Sequence, residues 1–134
     1  MNKNELAASK TKQLHAQLLR VFHEVESKEL DRLIQTLLGK EEQLMLAKRL
    51  AILVMLKEGY SHYRIATTLK VSATTVHNIE ARQSKNTLTE VSKMLTEHKA
   101  TYIAILEIVD SLLTVGGIMP RRVGLDRYRH INRA

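Results

Sequence analysis

The chain has 134 residues, enough for one domain with a hydrophobic core, and its 21 lysine and arginine residues against 14 acidic residues leave a net charge of +7. The absence of cysteine excludes disulfides and thiolate metal sites, while the single proline, the single phenylalanine and the lack of tryptophan indicate an all-α protein. A positive charge attracts polyanions, of which nucleic acid is the commonest, although it also occurs on surfaces that are merely soluble.

The longest apolar run extends from Leu50 to Leu56 between two basic residues, which is far shorter than the about 20 residues of a membrane span. The N-terminal residues lack the apolar region of a signal peptide. We therefore expect a cytoplasmic protein with no membrane partner.

Two amphipathic helices are predicted at the N-terminal end. The first begins near Asn4 and has these apolar residues on one face: Leu14, Leu18, Val21, Phe22 and Val25. We expect Ser27 to cap the second helix and Gly39 to end it as the C′ residue. The apolar face of this second helix comprises Leu30, Leu33, Ile34, Leu37 and Leu38.

A third helix is predicted from Glu41 to Glu58, ending before Gly59. Apolar residues cover nearly its whole circumference, so it must be surrounded by other helices. Three short helices of one chain can hardly surround it. Residues 1–58 therefore predict a homodimer in which the N-terminal helices of two chains interleave.

Residues 59–85 predict a helix-turn-helix. Between Ser61 and Gln83, two short amphipathic patterns meet at a turn of about three or four residues. Ser72 stands where the second helix needs an N-cap. The predicted inner face consists of Ile65, Ala66, Leu69, Val71, Val76 and Ile79.

The outer face of the second of these helices suits the major groove, because its residues are small or hydrogen-bonding and none is acidic. The predicted base-reading residues are Ala73, Thr74, His77, Asn78 and Ala81. Asn78 has the amide that pairs with adenine N6 and N7. The residues expected to contact phosphates are Tyr63, Arg64, Ser72, Arg82 and Lys85.

Residues 86–115 carry a heptad pattern that begins at a predicted capping box formed by Thr87 and Glu90. The apolar stripe, here called the heptad stripe, comprises Leu88, Val91, Leu95, His98, Tyr102, Ile105, Val109 and Leu112. The segment forms either one extended C-terminal helix or two helices with a break between Thr96 and Thr101. The stripe either packs on the protein's own core or pairs with a partner helix.

Residues 116–134 form a basic tail that follows the helix-ending pair Gly116 and Gly117. Arginine-rich arms often follow phosphates or enter a minor groove, and a disordered solubilising tail is the alternative. The tail residues expected to contact phosphates are Arg121, Arg122, Arg127 and Arg129.

Nothing in the sequence predicts an enzyme. It contains no glycine-rich phosphate loop and no nucleophile at a recognisable spacing from a base. The six histidines are scattered and include no His-x-x-x-His pair. We therefore expect no catalytic residue, no cofactor and no metal site.

The segment from Leu38 to Gln83, about a third of the chain, resembles the core of the tryptophan repressor family. The order and lengths of the helices match, together with these residues: Leu37, Leu38, Gly39, Leu44, Arg49, Ile52, Leu56, Gly59, Ser61, Ile65, Leu69, Val71, Thr75 and Val76. The resemblance implies an intertwined all-α dimer that presents two helix-turn-helix units to successive major grooves. It also implies repression of transcription at palindromic operators.

The sequence departs from the tryptophan-binding pattern of that family. Arg49 matches one of the two arginines that enclose the indole, but Asn78 replaces the second, and Ile79 replaces a glycine that leaves room for the ligand. We therefore expect a homodimeric regulator of double-stranded DNA that does not need tryptophan. The alternatives are a regulator gated by another small molecule and a helical interaction protein that uses residues 88–112 and the basic tail.

Overall fold

The computed structural model describes residues 7–83 and 85–115, and all regular structure in them is helical, which confirms the predicted all-α class. The helices are α1 (Ala8–Glu24), α2 (Ser27–Leu37), α3 (Lys40–Lys57), α4 (His62–Leu69), α5 (Ala73–Ala81), α6 (Lys85–Glu97) and α7 (Lys99–Val115). None of these helices is long and apolar enough to cross a membrane. The chain comprises two compact units, Met1–Leu44 and Met45–Ala134. The basic tail, with Arg121, Arg122, Arg127 and Arg129, lies outside the described residues.

The first unit contains α1 and α2, and neither helix has a buried residue. Their apolar faces therefore remain accessible in a single chain, with Leu14 exposed by 59%. The prediction that Ser27 caps α2 is wrong. Glu26 is the N-cap residue and forms a capping box with Glu29, whose carboxylate accepts the Glu26 backbone N–H at 3.4 Å. Because this reciprocal pair satisfies two backbone donors at once, α2 begins one residue earlier than predicted.

Gly39 follows the C-cap residue of α2 and so stands at the predicted C′ position, but it lacks the left-handed backbone that a C′ glycine usually has. α2 ends at Leu37, and its C-cap residue Leu38 has an extended backbone. The N–H of Gly39 donates to Glu42 Oε1 at 3.0 Å, and its carbonyl accepts the N–H of Gln43 at 2.9 Å. Gly39 therefore stands directly before α3, where its carbonyl accepts a backbone N–H of the first turns of that helix.

The C-terminal end of α3 lies in the second unit and stops at Gly59, as predicted. Gly59 has a φ of +85°, a conformation that side chains rarely adopt. The N–H of Tyr60 donates to the Met55 carbonyl and that of Gly59 to the Leu56 carbonyl, each at 3.1 Å. These two bonds form a Schellman motif, which satisfies two of the last carbonyls of the helix and directs the chain into α4.

The core of the second unit is built from α3, α4, α5 and α7. Its largest cluster contains Ile52, Met55, Ile65, Ala66, Leu69, Val76, Ile79, Val109 and Leu113. A smaller cluster joins Val54 to Tyr102 and Leu106. The Tyr102 hydroxyl donates to Glu58 Oε1 at 2.7 Å. This hydrogen bond joins α7 to the residue that follows α3, in the short segment that leads into α4.

The segment after α5 forms two helices, which break at His98. The predicted capping box of Thr87 and Glu90 is wrong, because α6 already begins at Lys85 and both residues lie within the helix. Of the heptad stripe, Tyr102 and Val109 are buried in the chain's own core. Leu112 is accessible, and Leu113 is buried in its place. Four residues of the stripe thus pack on the chain's own core: Leu95, Tyr102, Ile105 and Val109.

Candidate nucleic-acid interface

α4 and α5 are joined by three residues, Lys70, Val71 and Ser72, and we call residues 62–81 the α4–α5 pair. Lys70 ends α4 in the left-handed conformation, with φ 54° and ψ 51°. This conformation costs a non-glycine residue of the order of 1–2 kcal/mol. It turns the chain sharply enough for the Val71 N–H to donate to the Ala66 carbonyl at 3.1 Å. A tight turn therefore sets the angle between the two helices.

A serine caps each helix of the pair. Ser61 Oγ accepts the backbone N–H of Arg64 at 3.2 Å, and Ser72 Oγ accepts that of Thr75 at 3.0 Å. The hydroxyl oxygens of Ser72 and Thr75 are also 2.7 Å apart and form a hydrogen bond with each other. The predicted cap at Ser72 is confirmed, and each such cap contributes about 1 kcal/mol to helix stability.

The inner faces of both helices are apolar and packed together, as predicted. Ile65 and Val76 are fully buried, and Leu69 and Ile79 are nearly so. Val71 packs against the same cluster from the turn. The one buried polar residue among them, Thr68, donates its hydroxyl to the Arg64 carbonyl at 2.6 Å. The orientation of α5 is thus held by side chains of the protein itself.

The opposite face of α5 is open to solvent. All five residues predicted to read bases are exposed: Ala73, Thr74, His77, Asn78 and Ala81. They follow the helical period and lie opposite Val76 and Ile79, so they form one surface. That surface combines two small residues with a hydroxyl, an imidazole and an amide, which are groups that can accept or donate hydrogen bonds at base edges.

The predicted phosphate-contacting residues of the described chain lie in α4, in the turn before α5 and after the end of α5. Tyr63 is 78% exposed in the first turn of α4, with Arg64 beside it and half-buried. Arg82 is the C-cap residue of α5, and Lys85 begins α6, both exposed. Ser72 is also exposed, although its hydroxyl already serves the N-terminus of α5. Within residues 62–85, basic groups therefore stand at the start of α4 and after the end of α5.

No family model, curated protein or solved structure matches the chain. The resemblance to the tryptophan repressor family therefore stays a prediction that depends on the residues quoted above. Within residues 7–83 and 85–115, no group of three histidine or acidic residues is arranged to hold a metal ion.

One set of contacts in the α4–α5 pair was not predicted. His62 Nε2 lies 3.1 Å from Glu80 Oε1, and the ring of His62 meets the ring of His77 with centroids 5.9 Å apart at an interplanar angle of 62°. His62 and Glu80 are 18 positions apart in sequence, so no local spacing pattern connects them. The one sequence feature that could have drawn attention to this contact is that Glu80 is the single acidic residue of α5.

Proposed function

We propose that this protein is a sequence-specific double-stranded DNA-binding regulator, and that the α4–α5 pair is its helix-turn-helix. The exposed face of α5 is the observation that carries the proposal. One side of this short helix is buried against α4, while the other presents Thr74, His77 and Asn78 to solvent without an acidic group among them. A helix of this kind fits the major groove, where base pairs show distinct patterns of donors and acceptors.

Two features of the pair support a groove-binding role. Its inner side chains and serine caps hold α5 rigidly, which reduces the entropy lost when α5 enters a groove. Arg64 lies in the first turn of α4, and Arg82 and Lys85 follow the end of α5, so cations from both ends of this segment are available to contact phosphates and fix the position of the helix. The affinity for DNA should accordingly fall steeply with salt concentration.

The exposed apolar surface supports the homodimer that forms part of this proposal. In α3, Leu44 is 55% exposed and Leu46 is 51% exposed, although the pattern of this helix demands enclosure. The apolar stripes of α1 and α2 are also accessible, and neither helix has a buried residue. Because large apolar surfaces are rarely left open to water, a second copy of the chain is the proposed cover for these helices.

The proposed mechanism is repression by occupancy. In the dimer, two copies of α5 enter successive major grooves of a palindromic operator, with half-sites about 34 Å apart. Ile79 holds α5 against the core of its own chain, so binding does not require tryptophan. The resemblance to the tryptophan repressor family adds the interleaved arrangement to this proposal.

A selection of bound duplexes from a random pool tests the proposal directly. We expect enrichment of a palindrome with half-sites about one helical turn apart. Equal binding of all sequences, or no binding at low salt, would refute it. The competing role as a helical interaction protein has less support, because Tyr102 and Val109 of the heptad stripe are buried within the chain.

A further inference from the structure

His62, Glu80 and His77 form a contact chain that runs from the first residue of α4 to the exposed face of α5. We propose that His62 is a positioning residue for base reading: it withholds the Glu80 carboxylate from the DNA and orients the His77 imidazole toward a base edge. This inference depends on the proposed function, because it names the device that sets specificity at one position of the same site.

The role of Glu80 follows from its charge. It is the only acidic residue of α5, and a carboxylate on a groove-binding helix is repelled by the phosphates. A carboxylate only accepts hydrogen bonds, so His62 Nε2 is the donor across the 3.1 Å separation. The bond therefore places a proton of His62 on Nε2, and it holds the carboxylate beside the first residue of α4.

The role of His77 follows from the ring contact. His77 is exposed, and an exposed imidazole ordinarily samples several rotamers. The ring of His62 meets it at 5.9 Å and 62°, an edge-to-face arrangement typical of favourable aromatic pairs. Since Glu80 anchors His62, one orientation of His77 is favoured before DNA arrives. An N–H of His77 can then donate to acceptors such as N7 or O6 of guanine.

The expected size of the effect comes from the entropy of ordering one side chain. Preorganising a side chain such as His77 should be worth about a two- to tenfold preference for the matched base pair over the alternatives. The effect should be confined to that base pair, because His62 contacts Glu80 and His77 but forms no hydrogen bond or ring contact with Thr74 or Asn78, all of which lie among the described residues. Loss of His62 should therefore change discrimination at one position per half-site and leave discrimination at the others unchanged.

The experiment uses the full chain and the duplex that it selects from a random pool. Affinities are measured for that duplex and for a panel in which one base pair of one half-site is changed. His77→Ala first identifies the position that His77 reads. His62→Ala and Glu80→Ala should each reduce discrimination there by about two- to tenfold. His62→Ala should have no further effect on discrimination at that position in the His77→Ala background, as expected for residues that act through one contact chain.

Two variants serve as controls. Glu80→Gln keeps an oxygen that accepts the His62 N–H, so it should preserve discrimination at the His77 position while raising affinity for all duplexes alike. His98→Ala removes an exposed histidine at the break between α6 and α7 and should change nothing. Discrimination is a ratio of two affinities from one preparation, so a partly unfolded variant still gives a valid result.

The outcomes separate the two proposals. One outcome is that the wild-type protein selects a palindrome while His62→Ala shows the same discrimination as the wild type at every position. In that case the inference about His62 is wrong and the proposed function stands. Release of the Glu80 carboxylate in His62→Ala should weaken binding to all duplexes alike, so a uniform loss of affinity overturns the inference when discrimination at the His77 position is unchanged. If the wild-type protein prefers no sequence, the proposed function itself fails.

Discussion

Asn78→Ala is the most direct test of base reading by α5. The Asn78 side chain is exposed, whereas its neighbour Ile79 is buried, so the substitution removes the amide without disturbing the packing of the helix. Alanine also has a higher helix propensity than asparagine, so α5 should remain folded. Any loss of binding can therefore be assigned to the missing contact with DNA.

The magnitude follows from the chemistry of the amide. A bidentate contact from asparagine to adenine is worth about 1–3 kcal/mol of discrimination, or roughly 5- to 150-fold in relative affinity. The wild-type protein should lose this factor when the adenine in one half-site is replaced. Asn78→Ala should bind the original and the altered duplex equally at that position, while discrimination at every other position persists.

The assay is a competition titration with the selected duplex and its single-base variants at one fixed salt concentration. Asn86→Ala is the matched control, because Asn86 is also exposed but lies in α6. It should leave all affinities within about twofold of wild type. The reasoning is refuted if Asn78→Ala weakens binding to all duplexes by the same factor, because that behaviour belongs to a phosphate contact or to partial unfolding.

Three further substitutions test the packing, the dimer and the turn. Ile79→Ala should lower the free energy of unfolding by about 2–5 kcal/mol in urea titrations. Ile108→Ala, at a residue 61% exposed on α7, should lower it far less, and equal losses would contradict the assigned burial. Leu46→Glu should convert the dimer to a monomer in sedimentation equilibrium, while Met94→Glu, at an exposed residue of α6, should leave it dimeric. A monomeric wild-type protein would refute the dimer. Lys70→Gly should stabilise the chain by up to about 1 kcal/mol in thermal unfolding, because glycine adopts the left-handed conformation at that position without strain. A loss of stability would show that no strain is present.

The α4–α5 pair could be predicted in detail because its signals are local. A cap such as Ser72 acts on a backbone group three residues away, and Gly59 ends its helix through bonds to the preceding turn. The inner faces follow from the helical period, which places residues three and four apart on one side. These rules involve only neighbouring residues, so they can be applied without knowledge of the fold.

Local rules also gave the wrong starting residue for two helices. Ser27 is a good capping residue, but Glu26 caps α2 because its partner Glu29 completes the reciprocal bond. Thr87 and Glu90 have the spacing of a capping box, yet α6 begins at Lys85. When two cap signals lie within two residues of each other, small energy differences of the order of 1 kcal/mol choose between them.

By itself, the sequence determined the all-α class, the burial of Val76 and Ile79, and the exposed polar face of α5. Only the tertiary structure decided that the helical segment after α5 breaks at His98. The same is true of two hydrogen bonds between residues far apart in the sequence, one from Tyr102 to Glu58, which are 44 positions apart, and one between His62 and Glu80, which are 18 positions apart. The physical reason is that a helical face follows from the period of the chain alone. A contact between distant residues depends on the angles at every turn between them.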